Sequence, residues 1–292
     1  MDESSFEAAL SELQQDRVHG ASELARRSLE LLGRSAQEAT AGTVAELRRT
    51  LELRCKRLAA CRPSMAPVQN LLDEWQQALA RRGEDRLAEF RSAAAEEARQ
   101  WVERSRMALR QVGQNGADYI GADKTIITHS LSSTVVDVFE RLKERNVRAV
   151  VSESRPLNEG RILARQLSQW RIPTQLITDA QLGLFVAQAD FALVGADSLL
   201  PDGSLINKAG SCLLALAARE QAVPFLVCCE SFKRRRQVMD PAALEEMESE
   251  ELDAPRMPGV RVRNIYFDIT PAKLISGWID EKGVHRAAAV RC

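Results

Sequence analysis

The sequence has few of the residues that mark several common classes of protein. The six cysteines include no CxxC pair, so a zinc site is not expected. No GxGxxG motif follows a predicted strand, which argues against a nicotinamide cofactor, and no other cofactor is indicated. Aromatic residues make up only 5% of the chain, and Phe232 alone lies beside the basic run 233–236. Nucleic-acid binding is therefore not expected, because such surfaces interleave aromatic and basic residues.

The chain also lacks a charge excess of one sign and a long apolar run. Its 292 residues carry a formal net charge of −1, so no global field draws it to nucleic acid or to an anionic membrane. No stretch approaches the roughly 18 apolar residues of a membrane helix. The first residues are acidic and have no apolar signal core. We expect a soluble, cytoplasmic protein with no membrane partner.

Residues 1–115 are predicted to form an all-α N-terminal domain. Strong helix formers dominate this half, chiefly Ala, Leu, Glu, Gln and Arg. Apolar residues recur there every three or four positions, as in an amphipathic helix. The last helix is predicted to run from about residue 84 to Val112. Three glycines are predicted to end the helical region, namely Gly113, Gly116 and Gly121.

Residues 116–292 are predicted to form a Rossmann-like C-terminal domain, so the expected fold class is α/β. Short apolar or β-branched runs alternate with amphipathic helices from Thr125 onward. Uninterrupted apolar strands of this kind belong to a parallel sheet covered on both faces. The predicted strands are 125–128, 147–152, 174–178, 191–195 and 225–228, and the predicted helices are 133–145, 160–169, 182–188 and 211–220.

Polar residues follow every predicted strand. Ser130 follows the first strand, Arg155 the second and Asp197 the fourth. Ligands of open parallel sheets bind outside the carboxyl ends of the strands, so these side chains are expected to meet at one rim. Hydroxyls, carboxylates and basic groups beside helix N-termini suit a phosphorylated polyol. The sequence therefore predicts a small phosphorylated sugar or nucleotide as the ligand.

Each of these residues also has a simpler structural interpretation. Asp197 could cap the turn after its strand, and Asn207 with Lys208 could mark a helix start with a solvated lysine. His129 and Ser130 do not form a catalytic dyad, because neighbours on an extended chain point to opposite faces. The ligand prediction therefore depends on the convergence of all five strand ends rather than on any single residue.

Five segments of the second half occur together in a fixed order. They are ITHSLSSTV, ESRPLNEGR, GADSLLPDGSLINKAGS, PFLVCCESFK and NIYFDITPAKLIS, within residues 125–277. Together they resemble the superfamily of the translation initiation factor 2B α, β and δ subunits, methylthioribose-1-phosphate isomerase and ribose-1,5-bisphosphate isomerase. The GAD and NKxG block with ESRP upstream is the most specific part of this resemblance.

The resemblance implies roles for residues of the second half. Asp197 matches the catalytic acid of the isomerases, and Ser130 stands at the position of their catalytic cysteine. Asn207 and Lys208 match the substrate-binding pair, placed at the N-terminus of a helix whose dipole favours phosphate. Two residues of the ESRPLNEGR segment complete the implied substrate-binding set, namely Arg155 and Glu159.

Two segments of the helical half carry a weaker resemblance. HGASELA is similar to the isomerases' RGA segment, which implies that His19, Gly20 and Ala21 contact substrate. CRPSMAPVQN is similar to their TRPTA segment, which implies that Arg62 holds phosphate. The resemblance thus predicts a ligand cleft in which Arg62 faces the strand ends.

Three positions depart from the isomerase pattern. Ser130 replaces a cysteine, and a hydroxyl, unlike a thiol, is not readily ionised without a partnered base. His19 replaces the arginine of the RGA segment. Glu159 stands where the isomerases usually have glutamine, and a carboxylate there would repel a phosphate. The initiation-factor subunits, in contrast, often lose the catalytic acid, whereas Asp197 is retained.

Two functions therefore stay open. The chain could be an aldose–ketose isomerase of a sugar 1-phosphate, with Asp197 moving protons and Ser130 bonding to the reacting oxygens. It could instead be a non-catalytic module, related to initiation factor 2B, that binds a phosphosugar, a nucleotide or a protein. A homodimer is also expected, because residues 264–277 are rich in apolar side chains and because family members dimerise through the larger domain.

Overall fold

The chain folds as a mixed α/β protein with a mostly parallel sheet. The computed structural model describes residues 1–83, 86–236, 244–255 and 257–286. The chain divides into two compact units, residues 1–107 and residues 108–292. The division falls inside one long helix, slightly before the boundary predicted at residue 115.

Every described element of residues 1–107 is helical. The apolar positions with helical spacing, such as Leu24 and Leu29, form its buried core. Side-chain caps start two of the helices, because Asp2 accepts from the Ser5 amide and Thr43 accepts from the Glu46 amide. The helices are α1 (Glu3–Gln15), α2 (Ala21–Glu38), α3 (Val44–Ala60), α4 (Ala66–Ala80) and the first part of α5 (Leu87–Ile120).

The prediction that glycines end the helical region near Val112 was wrong for two of the three. Helix α5 continues to Ile120, and only Gly121, with a φ of +74°, follows its end. Gly113 and Gly116 lie inside the helix, at positions where α5 packs closely against Asp137 and Val138. A Cβ on Gly116 would lie 2.6 Å from a methyl carbon of Val138, so these glycines serve close packing rather than termination.

Residues 108–292 contain a seven-stranded sheet with the order β10-β9-β7-β4-β1-β2-β3. Strands β1, β2, β3, β4, β7 and β9 run parallel, and β10 is antiparallel to β9. The five predicted strands correspond to β1, β2, β3, β4 and β7. The strands are β1 (Thr125–Thr128), β2 (Arg148–Ser152), β3 (Thr174–Ile177), β4 (Phe191–Val194), β5 (Ser198–Leu199), β6 (Leu205–Lys208), β7 (Phe225–Cys228), β8 (Phe267–Thr270), β9 (Gly277–Asp280) and β10 (Gly283–Arg286).

Helices cover both faces of this sheet, which explains why its strands read as continuous apolar runs. Ile126 and Phe139 belong to the core on one face, together with residues of α5 and α7. Ile127 and Leu214 belong to the core on the other. The helices are α6 (Ser133–Leu142), α7 (Glu159–Gln169), α8 (Leu182–Phe185) and α9 (Ser211–Glu220), with 3-10 turns at 179–181, 186–188, 231–233, 249–252 and 272–274.

A second, three-stranded antiparallel sheet with the order β5-β6-β8 was not predicted. Strand β5 spans only two residues, and β6 and β8 include the polar residues Asn207, Lys208 and Asp268, so no continuous apolar run marks this sheet in the sequence. This sheet and the neighbouring core take up most of the apolar segment 264–277. Tyr266, Phe267, Leu274 and Ile275 are buried within this unit, so they do not provide the exposed surface that motivated the homodimer prediction.

Candidate ligand-binding site at the carboxyl edge of the sheet

The turn after β1 carries the predicted residue Ser130, which is buried and has a φ of +71°. Its neighbour His129 links three parts of this edge. His129 Nδ1 lies 2.6 Å from Ser152 Oγ, and Nε2 lies 2.9 Å from the Ala209 carbonyl oxygen. Burial lowers the pKa of His129, so the ring is neutral near pH 7. Because a carbonyl oxygen only accepts, Nε2 carries the proton and the Ser152 hydroxyl donates to Nδ1.

The loop after β2 is held by a carboxylate that follows β3. Asp179 accepts hydrogen bonds from the amides of Ser154 and Arg155, at 2.8 and 2.7 Å. The Arg155 side chain is exposed at the rim and donates to the Leu252 carbonyl oxygen at 2.9 Å. The predicted residue Arg155 therefore lies at the carboxyl edge, in a loop whose backbone is held by hydrogen bonds to Asp179.

Helix α7 brings a carboxylate onto the predicted substrate-binding lysine. Glu159 is the first residue of α7, and its Oε1 lies 2.7 Å from Lys208 Nζ. Both side chains are buried. A Cβ on Gly160 would lie 1.8 Å from the Ser152 carbonyl oxygen, so α7 can begin this close to β2 only with glycine at that position.

The prediction that Asn207 and Lys208 open a helix was wrong. Both are the last residues of β6, and α9 begins at Ser211, to which Asn207 donates a hydrogen bond of 2.8 Å. Asp268 of β8 accepts from the amides of Gly210 and Cys212, at 2.7 and 3.1 Å. The start of α9 therefore already holds a carboxylate where the resemblance implied a phosphate.

Asp197 lies in the turn after β4 and is partly exposed. Its amide donates to the Ile206 carbonyl oxygen at 2.9 Å. The preceding carbonyl, of Ala196, accepts a 2.6 Å hydrogen bond from the buried Lys233 ammonium group. Lys233 Nζ also lies 3.4 Å from the carboxylate of Glu230, which is completely buried. The buried Lys233–Glu230 ion pair therefore fixes the turn that carries Asp197, through the hydrogen bond from Lys233 to Ala196.

The turn after β4 lies against the loop after β1. A Cβ on Gly195 would lie 2.1 Å from Ser132 Oγ. The structure therefore brings the segments of Asp197 and Ser130 to the same edge, next to the loop of Arg155 and the Glu159–Lys208 pair.

Several buried polar atoms at this edge have no hydrogen-bond partner among the described residues. They include Thr128 Oγ1 at the end of β1, Ser154 Oγ after β2 and Glu159 Oε2 at the start of α7. Leaving such an atom unpaired costs about 1–3 kcal/mol, and unpaired groups are uncommon in folded proteins. Their grouping at the carboxyl edge marks it as the candidate site.

The predicted site residues of the helical unit are grouped around Asp16. Its carboxylate accepts from the His19 amide at 2.9 Å and from His19 Nδ1 at 2.7 Å, and its carbonyl oxygen accepts from Arg62 at 3.0 Å. Gly20 and Ala21 form the N-terminus of α2 directly after this turn. Within residues 1–107 the structure therefore brings all four together: His19, Gly20, Ala21 and Arg62.

Two residues that contact the site were not singled out from the sequence. The Tyr266 ring centroid lies 4.2 Å from Lys208 Nζ, which is a cation–π contact. Asp268 occupies the start of α9. Burial raises the pKa of Asp268 to about 6, although the Gly210 and Cys212 amides oppose this shift. An isolated aspartate in the apolar segment NIYFDIT was the available signal.

Other candidate features lie away from this edge or are absent from the described residues. A cavity of about 700 Å³, lined in part by Pro224, Ser276 and Trp278, lies near the starts of β7 and β9. It contains none of the predicted site residues. Within the described part of the chain, no group of three His, Cys, Asp or Glu residues could hold a metal ion. None of the described helices has the length and apolarity to cross a membrane.

Comparisons with known proteins agree with the motifs. A model of the Initiation factor 2 subunit family matches residues 17–287. The eIF-2B subunit 2-like protein of Pyrococcus abyssi is 36% identical over 277 residues, covering 94% of each chain. The ribose 1,5-bisphosphate isomerase of Archaeoglobus fulgidus is 30% identical and covers 91% of this chain and 85% of its own.

Solved structures show the same relationship. The crystal structure of the Pyrococcus horikoshii translation initiation factor eIF-2B superposes with a TM-score of 0.85, is 32% identical and covers 98% of both chains. The 5-methylthioribose 1-phosphate isomerase of the same organism has a TM-score of 0.78 at 24% identity, covers 96% of this chain and 83% of its own, and shares the fold. From its motifs, its fold and these matches, the chain belongs to the Initiation factor 2 subunit family.

Proposed function

We propose that the chain is an initiation-factor-2B-like protein that binds a small phosphorylated sugar or nucleotide at the carboxyl edge of the seven-stranded sheet. The observation that carries this proposal is the group of unpaired, buried polar atoms on Thr128, Ser154 and Glu159. Atoms of this kind gain hydrogen-bond partners when a polyhydroxylated ligand binds beside them. Their position at the ends of parallel strands matches the place where ligands bind in open α/β sheets.

The class of ligand is supported by relatives and by the basic residues at the edge. One relative is named ribose 1,5-bisphosphate isomerase, which indicates a phosphorylated sugar for that protein. In this chain, Arg155 is exposed at the rim and can bind phosphate oxygens in a bidentate manner. We propose that Arg62, His19, Gly20 and Ala21 also contact the ligand, as the resemblance implies.

Binding without catalysis is favoured by the surroundings of Ser130. A serine nucleophile needs a neighbouring base to take its proton. The adjacent imidazole, that of His129, accepts from Ser152 and donates to the Ala209 carbonyl oxygen, so it has no lone pair left for Ser130. In this arrangement His129 does not activate the hydroxyl that replaces the isomerases' cysteine.

An isomerase acting on a sugar 1-phosphate is the second candidate function, and the support for it is that Asp197, which matches the isomerases' catalytic acid, is retained at the end of β4. Its side chain is partly exposed at the strand end, and the turn that holds it is fixed by Lys233. A carboxylate held in this way could move a proton between neighbouring carbons of a bound sugar. In that case Ser130 would bond to the reacting oxygens.

We also propose that the chain forms a homodimer and is located in the cytoplasm. Support for the dimer now comes from α8 and α9 rather than from residues 264–277. Leu184, Leu213 and Leu216 are 69%, 65% and 50% exposed on these two neighbouring helices. Exposed leucines grouped in this way are typical of an interface between protein chains.

A turnover assay with matched binding measurements distinguishes the two functions. Wild type, Asp197→Asn and Ser130→Cys are incubated with ribose 1,5-bisphosphate and with methylthioribose 1-phosphate, and product and binding are both recorded. The binding-protein proposal predicts that all three proteins bind at least one of the two sugars and convert neither. Conversion by wild type that falls by about 10²–10⁴-fold in Asp197→Asn would instead establish the isomerase.

A further inference from the structure

The ammonium group of Lys208 is paired with the Glu159 carboxylate inside the candidate site. Its Nζ lies 2.7 Å from Glu159 Oε1 and over the rings of Tyr266 and Phe267, with centroid distances of 4.2 and 5.9 Å. Lys208 is 7% exposed and Glu159 is 9% exposed, so solvent screens this pair only weakly. The side chains belong to β6 and α7, and their charges cancel at this point of the carboxyl edge.

The second carboxylate oxygen of Glu159, Oε2, is buried and lacks a hydrogen-bond donor among the described residues. An ionised carboxylate oxygen accepts hydrogen bonds and cannot donate them. The group that fits beside it therefore carries a proton, as a sugar hydroxyl does, whereas a phosphate carries only acceptors and negative charge.

We propose, on the basis of the proposed function, that Glu159 is a specificity-determining residue that makes the Lys208 subsite accept a neutral hydroxyl group and reject a phosphate. The chain then binds a sugar with one phosphate group, placed elsewhere on the edge, more tightly than a sugar with two. A second phosphate at this subsite would meet the Glu159 carboxylate, and juxtaposed like charges weaken binding strongly.

The alternative is that a phosphate displaces Glu159 and takes Lys208 for itself. That displacement would leave the Glu159 carboxylate buried beside the bound anion, without its cation. Breaking a buried pair in this way is strongly unfavourable, because one charge stays uncompensated. The geometry therefore favours rejection of the second phosphate over rearrangement.

Titration calorimetry with two ligands and three proteins tests this inference. The ligands are ribose 5-phosphate and ribose 1,5-bisphosphate, and the proteins are wild type, Glu159→Gln and Glu153→Gln. The amide of Glu159→Gln retains an oxygen for Lys208 but removes the charge. Glu153→Gln is the control for loss of one carboxylate charge, because Glu153 pairs with Arg161 at 2.6 Å on the neighbouring loop and this pair is more exposed than Glu159–Lys208.

We expect wild type and Glu153→Gln to bind the monophosphate at least about tenfold more tightly than the bisphosphate, and Glu159→Gln to lower or reverse that ratio by about tenfold or more. A ratio that stays within twofold of wild type in Glu159→Gln, while the monophosphate binds, would overturn the inference and leave the proposed function standing. No binding of either ligand to any of the three proteins would reject both for these sugars.

Discussion

Three acidic side chains of residues 108–292 have two kinds of partner, either backbone amides or a buried lysine. Asp268 accepts from two backbone amides, Glu159 pairs with Lys208, and Glu230 pairs with Lys233. The motifs predicted Lys208 as a ligand contact and Glu159 as a repulsive departure. That the two neutralise each other could not be read from the sequence, because β6 and α7 meet only in the folded chain.

The Asp268→Asn substitution is predicted to change how stability depends on pH. Burial raises the pKa of Asp268 from 3.8 to about 6, so the folded state resists ionisation of this group. The stability of wild type relative to the variant should therefore fall as pH rises, by about 3 kcal/mol over the whole titration and by about 2 kcal/mol between pH 4.5 and pH 7.

Urea unfolding of wild type and Asp268→Asn at pH 4.5 and pH 7 measures this difference. Asparagine can place its amide oxygen where Asp268 Oδ2 accepts from Gly210 and Cys212, so the variant is expected to fold. The exposed Asp253→Asn is a control. A difference between wild type and Asp268→Asn that does not change with pH would contradict the prediction.

The Lys233→Met substitution is predicted to destabilise the protein by about 3–5 kcal/mol, because it leaves a buried carboxylate without its cation. Lys233 is 3% exposed, and Glu230 is fully buried. Burial lowers the pKa of Lys233, but the Glu230 carboxylate outweighs this and raises it, so the lysine is charged. Adding Glu230→Gln should recover part of the loss in chemical denaturation. A loss below about 1 kcal/mol for Lys233→Met, similar to that of the exposed Lys282→Met, would refute this account.

At the scale of elements, hydrophobic periodicity located the strands that have helices on both faces. Strands β1, β2, β4 and β7 stand out because each contains a buried apolar or β-branched run, whereas the edge strand β3 (TQLI) includes Gln175 and is largely exposed. The small sheet of β5, β6 and β8 could not be predicted in this way. Strand β5 has only two residues, and β6 ends in the polar pair Asn207 and Lys208, which resembles the start of a helix.

Helix α5 shows how packing can override local propensity. Gly116→Ala should stabilise an isolated helix by about 1 kcal/mol, but here the new Cβ would lie 2.6 Å from Val138 and 3.3 Å from Cys228. We predict a destabilisation of about 1–3 kcal/mol from overpacking, measured by urea unfolding. Gly183→Ala in α8 is the matched control, because its nearest neighbour is 4.0 Å away. A Gly116→Ala variant that is more stable than wild type would show that α5 does not pack as described.

At the scale of the whole molecule, the motifs identified the family of the chain but did not establish its oligomeric state. The order of the five segments identified the family, and the comparisons confirmed it. The homodimer stays a prediction, because the apolar residues first used to argue for it are mostly part of the protein's own core.

Light scattering after gel filtration tests the homodimer. We expect twice the mass of one chain at micromolar concentration. Leu213→Glu combined with Leu216→Glu should give the monomer mass, because each adds a charge to the exposed face of α9. The exposed Leu53→Glu in the helical unit is the control and should leave the mass unchanged. A monomer mass for wild type would refute the dimer.

Ligand-dependent hydrogen exchange, followed by mass spectrometry, tests the central claim most directly. The protein is compared with and without ribose 5-phosphate, methylthioribose 1-phosphate or AMP. The account predicts that at least one of these ligands protects the amides of residues 128–132, 153–160, 195–199 and 205–210, at the carboxyl edge. Residues 222–226 and 272–278, beside the cavity at the other edge, should not change. No protection by any of the three ligands, or protection confined to that cavity, would contradict it.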